Sequence, residues 1–223
     1  MSTKQERTVS EDLFEDLCRR VGIACERIVE EDSQTPDYEV KFSVHRIVAE
    51  VKQFDPNEEE AESNRRFDAG GVGGSGTTPG DRIRKAVHRA APQLKAQSKG
   101  ECPAMLVVYN NRASRLHTDP YAVATAMQGL DVVPVLVPKD PAITPRFQDA
   151  RSGPGKKMTA KDNTTISAIG VLITDSDDQT HLCIYHNRHA RHPIDPEWLR
   201  HRLVHHYRLP DGATSSLKGW TKV

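Results

Sequence analysis

The sequence predicts an α/β protein in which one mixed central β-sheet is flanked by helices. Three observations lead there: an amphipathic helical stripe near the start, two alternating apolar segments at residues 37–44 and 47–54, and a later succession of helical patterns and short apolar runs. With 223 residues, the chain can bury a full core without disulfides or structural zinc.

In chain order, Ser10 is placed to cap a helix whose apolar stripe is Leu13, Phe14, Leu17, Cys18 and Val21, with Gly22 ending it. Glu11 and Glu15 share another face of that helix, one turn apart. A short strand is expected at 24–29, an acidic turn at 30–35, and then the two strands at 37–44 and 47–54. Residues 55–80 run from a cluster of acids into AGGVGGSGTTPG, which offers too little apolar surface to order the chain, so no regular structure is expected. That run lacks the G-K-[ST] ending of a phosphate-cradling loop, which argues against a nucleotide site of that type.

From Asp81 a helix carries Ile83, Val87, Ala90 and Leu94 on one stripe and is expected to kink or split at Pro92. The unbroken apolar run at 104–109 predicts a strand buried on both faces. Asp119-Pro120 opens a helix that Gly129 closes, and a strand at 132–137 follows. A loop rich in Pro, Gly and Lys is expected at 138–163, strands at 165–174 and 181–185 around the turn DSDDQ, and a last helix from Asp195-Pro196 to about 207. No repeat or linker interrupts this order. One domain is therefore expected over 1–223, with a core at about 10–110 and a C-terminal α/β extension at about 111–223.

The 31 basic and 31 acidic side chains cancel, which gives no support to a generic polyanion binder. Their distribution is uneven: acids exceed bases by nine in residues 1–62, and bases exceed acids by nine in the remainder. Such a split suits a cation site beside a polyanion site. The four cysteines are scattered without zinc-ligand spacing and are read as reduced thiols. The start, MSTKQERTVSED, has no apolar leader, and no run is long enough to span a bilayer, so a soluble cytoplasmic protein is expected.

The text that carries chemistry is TPDYEVKFSVHRIVAEVKQF, residues 35–54. Pairing its two strands around a turn at Val44-His45 sets Tyr38 opposite Val51, Val40 opposite Ala49 and Phe42 opposite Ile47, all apolar pairs. In that register Asp37 faces Lys52, with Glu50 as the diagonal neighbour. Two carboxylates on rigid strands suit Mg²⁺, which keeps several waters and favours few protein ligands. A lysine two residues from one carboxylate lies on the same strand face, where its ammonium can stabilise charge growing on a phosphate oxygen.

Pro36-Asp37 followed by Glu50-Val51-Lys52 resembles the PD-(D/E)XK phosphodiesterase superfamily, with its restriction-endonuclease-like fold of helix, three strands, helix and strand. The resemblance covers about residues 10–110 and assigns no subfamily. It implies a Mg²⁺- or Mn²⁺-dependent nuclease with Asp37, Glu50 and Lys52 as catalytic residues and Asp37 and Glu50 on the metal. A glutamate of the first helix completes the metal site in several members; Glu15 or Glu11 could supply it here, with Glu15 preferred for its mid-helix position. Gln53 extends the motif to E-V-K-Q and is a supporting residue. The implied partner is nucleic acid, DNA ahead of RNA, with no membrane and with a homodimer or a larger defence or mobile-element assembly as the setting. RNA-directed or end-directed cleavage, or a vestigial binding module on the same fold, are the alternatives.

Gln93 and Lys95 lie on the helix after the E-x-K strand, where related nucleases carry polar residues facing the site. Arg82 and Lys85, with Arg84 and Arg89, could contact phosphates, as could the loop Arg151–Lys157, although solvated faces look the same in sequence. The late histidines, His186, His189, His192, His201, His205 and His206, are read as surface residues. His201 and His205 have the spacing of helical metal ligands, but Arg202 stands where H-E-x-x-H needs glutamate.

Overall fold

The structure, a computed structural model, describes residues 7–28, 35–74, 76–140, 142–210 and 219–223. Helix α1 (Val9–Arg20) is capped by Thr8 rather than Ser10: Glu11 N–H donates to the Thr8 hydroxyl and Thr8 N–H donates to the Glu11 carboxylate. This reciprocal box needs a glutamate three residues after the cap, and only Thr8 has one. Phe14, Leu17 and Cys18 are the buried stripe.

Strand β1 (Ala24–Arg27) pairs antiparallel with β2 (Tyr38–Phe42), and β2 with β3 (His45–Phe54). Most of the acidic turn expected at 30–35 lies outside the described residues. The β2–β3 register is two residues away from the expected one: Tyr38 is opposite Ala49, Val40 opposite Ile47 and Phe42 opposite His45. The turn is Ser43-Val44, with Ser43 at a left-handed φ of 52°. A shift of two preserves the face of every side chain. Tyr38, Val40, Ile47, Ala49 and Val51 are accordingly buried in one cluster with Phe14 and Leu17 of α1.

Helix α2 (Glu58–Asp68) corrects the expectation of an unstructured stretch at 55–80. It has no apolar face, and Glu60 is its one buried residue. Its ends and charges hold it instead: an Asn57/Glu60 capping box, Glu58, Glu59 and Glu60 at the positive end of the helix dipole, Arg65 and Arg66 at the negative end, and Glu62 paired to both arginines. Glu60 is drawn inward by Arg82 and by His117.

Helix α3 (Asp81–Ser98) runs unbroken through Pro92, so the expected split is absent. Pro92 is exposed, and the carbonyl it leaves unbonded belongs to His88, also exposed and open to water. Strand β4 (Ala104–Asn110) is buried on both faces over most of its length, and α4 (Pro120–Gln128) is capped by Asp119 and closed by Gly129. The expected strand at 132–137 is two short pieces, β5 (Asp131–Val132) and β6 (Val135–Leu136), because Pro134 interrupts it and its valines are exposed. Within the expected loop, β7 (Arg146–Phe147) pairs with β6 and β8 (Arg151–Ser152) with β5, in ribbons outside the main sheet.

Strands β9 (Ile166–Thr174) and β10 (Thr180–His186) lie where expected. The expected last helix is instead a 3₁₀ turn, Pro196–Leu199, followed by β11 (Val204–Arg208); β12 (Thr221–Lys222) pairs with β11. Val204 and His206 are buried while His205 and Tyr207 are less so, which is the period of a strand. The main sheet has the order β1-β2-β3-β4-β9-β10-β11-β12 and is mixed, with parallel pairing at β3–β4, β4–β9 and β10–β11. One face packs on α1 and the other on α3 and α4, giving two apolar clusters. Among the described residues no helix is long and apolar enough to cross a membrane.

Candidate active site

Asp37 lies at the point where β2 leaves the ladder. Val51 N–H donates to Asp37 Oδ2 at 2.7 Å, so the carboxylate is fixed beside the backbone between Glu50 and Lys52. Extending the hairpin register by one residue sets Asp37 opposite Glu50 on the sheet face that α3 covers. Lys52, two residues along, points to that same face, and its ammonium pairs with Glu50 Oε1. The structure therefore brings Asp37, Glu50 and Lys52 together.

Glu50 is completely buried, and its Oε2 has no hydrogen-bond partner. Burial, followed by the charge of Asp37, pushes its carboxyl up to about 7, while the Lys52 ammonium pulls the other way. Asp37 is also raised, chiefly by burial, with the Val51 N–H and Lys52 opposing. A buried carboxylate with one unbonded oxygen and one held by a lysine, beside a second carboxylate, suits a hard cation, and Mg²⁺ requires no more than one or two protein carboxylates. Among the described residues no group of three or more His, Cys, Asp or Glu is gathered tightly enough to hold a metal.

Both helix glutamates have other partners. Glu15 accepts from the Tyr38 hydroxyl at 2.9 Å and pairs with Arg7, on the α1 side of the sheet. Glu11 is the one whose charge reaches Asp37, and it is bound to Arg27 at 2.8 Å. Arg27 also acts on Asp37 and is a neighbour the sequence did not point out. Gln53 faces the α1 side: its Oε1 accepts from Ser10 N–H and its Nε2 donates to Asp55, so it ties α1 to β3.

On α3, Arg82, Ala86, Arg89 and Gln93 fall at helical spacing along one stripe. The first three, with Lys85, line a groove of about 240 Å³ that also contains Lys52, Gln53, Phe54 and Asp55. Gln93 donates to the Thr35 carbonyl at 3.4 Å, beside the start of the Pro36-Asp37 segment. Arg82 is committed to Glu60 and to the Asp55 carbonyl, and Lys85 pairs with Asp81 at 2.8 Å. Arg89 is exposed and has no ion-pair partner among the described residues. Lys95 is exposed and off the stripe. The Glu60–Arg82–His117 cluster was signalled only by the Asn57-x-x-Glu60 spacing. A larger cavity, about 690 Å³, lies toward the other end of β3 around His45, Arg46, Cys102 and Trp198, and its described lining contains none of these groups.

Comparison with protein-family models, curated proteins and solved structures returned no match. Chemistry alone distinguishes the site.

Two of the late histidines correct the surface reading. His186 and His206 are buried and stacked at 5.2 Å between ring centroids; burial depresses both, His186 to about 3. His201 and His205 do not share a helix, since His205 is in β11.

Proposed function

We propose that the chain is a metal-dependent phosphodiesterase with a restriction-endonuclease-like core, cutting DNA internally. One observation carries the reading: Glu50 is fully buried beside Asp37, its Oε1 ion-paired to Lys52 and its Oε2 without a hydrogen bond. A salt bridge serving only stability would not leave the second buried oxygen unbonded. Asp37 and Glu50 would hold Mg²⁺ or Mn²⁺, which when bound supplies Lewis acidity and a water of lowered pKa. Lys52, half-exposed at the groove, is placed to neutralise charge on a phosphate oxygen. Val51 N–H keeps Asp37 from rotating away. Lys85 and Arg89 offer sequence-independent contacts to the backbone phosphates.

The test is cleavage of supercoiled, linear and single-stranded DNA and of RNA by purified protein with Mg²⁺ or Mn²⁺. Supercoiled DNA should be nicked, and Glu50→Gln and Lys52→Ala should each lose on the order of a hundredfold in rate. Calorimetry should find weaker cation binding in Glu50→Gln and equal or stronger binding in Lys52→Ala, whose ammonium no longer opposes the cation. No cleavage of any polymer, or undiminished cleavage in either variant, overturns the reading.

A further inference from the structure

Tyr185 and Tyr207 are register partners on β10 and β11, and their rings stack at 5.1 Å between centroids with 18° between planes. Trp220 stands edge-on to Tyr185 at 4.8 Å and 63°. Its indole N–H donates to the Pro120 carbonyl at 2.8 Å, which fixes the ring and occupies its one polar group. Tyr121, 39 % exposed, forms a further wall. These four rings with Pro120 and Gly219 line an apolar cavity of about 350 Å³. Rings serving only the core would close on one another; these leave room for a planar heterocycle, at the lower end of small-molecule site sizes.

The position of this box relative to the carboxylates follows from the register. Glu50 pairs with Leu106, Leu106 with Ile169, Ile169 with Tyr185 and Tyr185 with Tyr207. The five residues form one row on one face of the sheet, so Tyr185 and Tyr207 lie roughly 14 and 19 Å from Glu50 at about 4.8 Å per strand. Charge selects the ligand. Lys222 is opposite Tyr207 and acts on Cys183 and His205, which places its ammonium on the face that carries the rings. Among the described residues no carboxylate lines the cavity, and the nearby Asp119 is held by Ala122 N–H as the cap of α4. An aromatic box with a cation on the strand beside it, opposite Tyr207, suits a flat base joined to a phosphate better than a quaternary ammonium.

We infer that the box of Tyr121, Tyr185, Tyr207 and Trp220 is a nucleobase site, in which an unpaired base of a nucleic-acid strand stacks while Lys222 holds the adjoining phosphate. The inference rests on the phosphodiesterase reading and specifies its substrate as single-stranded or locally unpaired. The experiment measures anisotropy of a labelled 12-nucleotide single strand and of a blunt duplex of equal length, in EDTA so that nothing is cut. Wild type should prefer the single strand. Trp220→Ala and Tyr121→Ala should weaken single-strand binding about tenfold and leave duplex binding unchanged. Tyr121 is a surface residue, so that variant should fold even if loss of the indole disturbs the fold. Equal single-strand affinity in wild type and Tyr121→Ala overturns the inference, as does saturable binding of tetramethylammonium in the box with no preference for the single strand. Cleavage with unaltered Tyr121→Ala binding sinks the inference alone, whereas ring-dependent binding without Mg²⁺-dependent cleavage sinks the phosphodiesterase reading alone.

Discussion

Ionising Glu50 costs the folded protein, because its carboxylate is buried with one oxygen unbonded and its carboxyl is raised to about 7. The unfolded chain gives up that proton near the ordinary value of 4.5. Between those two values the folded state holds more protons, so stability present at low pH is lost as pH rises from about 4.5 to about 7. The difference is about 3 kcal/mol for a shift of this size. Gln at position 50 has no such loss. Melting temperatures of wild type and Glu50→Gln at pH 5 and pH 8 should therefore diverge by roughly 5–10 °C in favour of the variant at the higher pH. Equal shifts with pH in both proteins would mean that Glu50 ionises as an exposed acid does. Such a trade, a strained charge kept at the expense of stability, is expected where a residue serves chemistry. The trio itself was legible, since Asp37, Glu50 and Lys52 carry their spacing in the sequence. The neighbours of Glu15 were not: periodicity says which residues share a helix face, but not which strand face that helix meets.

Elements with an apolar period were readable, and those held by charge were not. The stripes of α1 and α3 and the run of β4 bury what the sequence suggested. The hairpin kept its faces but slipped by two, because Tyr38, Val40 and Phe42 find an apolar or aromatic partner in either register and only the Ser43-Val44 turn decides. Helix α2 offered no stripe, so its acids resembled a solvated run until Glu60 met Arg82 and His117. That origin makes α2 easy to release. Asn57→Ala removes the cap and should cost about 1 kcal/mol. Glu60→Ala should cost about 3–5 kcal/mol, since it leaves Arg82 and His117 largely buried without their anion. Hydrogen exchange should show residues 58–68 opening early in both variants while β3 and β4 stay protected. Uniform loss of protection across the sheet would make α2 part of the core instead. At the other end, V-H-H-Y-R continues in sequence from the helix start at Asp195-Pro196, but its alternating burial is that of a strand.

At the scale of the molecule, residues beyond 110 are not an appendage to a finished core. Strand β4 is central, paired on one side with β3 and on the other with β9, and both pairings are parallel. Parallel pairs are stable when both faces are covered, and here each face draws on both halves of the chain: Ile166, Ile169 and Val171 join α3 on one side, and Leu172, Leu182 and Ile184 join α1 on the other. Local pattern shows that an element exists, but pairing between β4 and β9, more than fifty residues apart, leaves no mark in either segment. A chain ending at residue 110 would expose the long edge of β4, with Leu106, Val107 and Val108 stripped of their cover. The 1–110 fragment should consequently show no cooperative thermal transition and should aggregate, and it should bind no cation even though Asp37, Glu50 and Lys52 are all present. Circular dichroism melting and calorimetry with Mn²⁺ read both outcomes. Adding residues 111–223 as a separate chain should restore the transition if β9 and β10 supply the missing wall. A fragment that melts cooperatively and binds Mn²⁺ alone would mean that the first half carries its own core, with the later strands docking on a sheet already made.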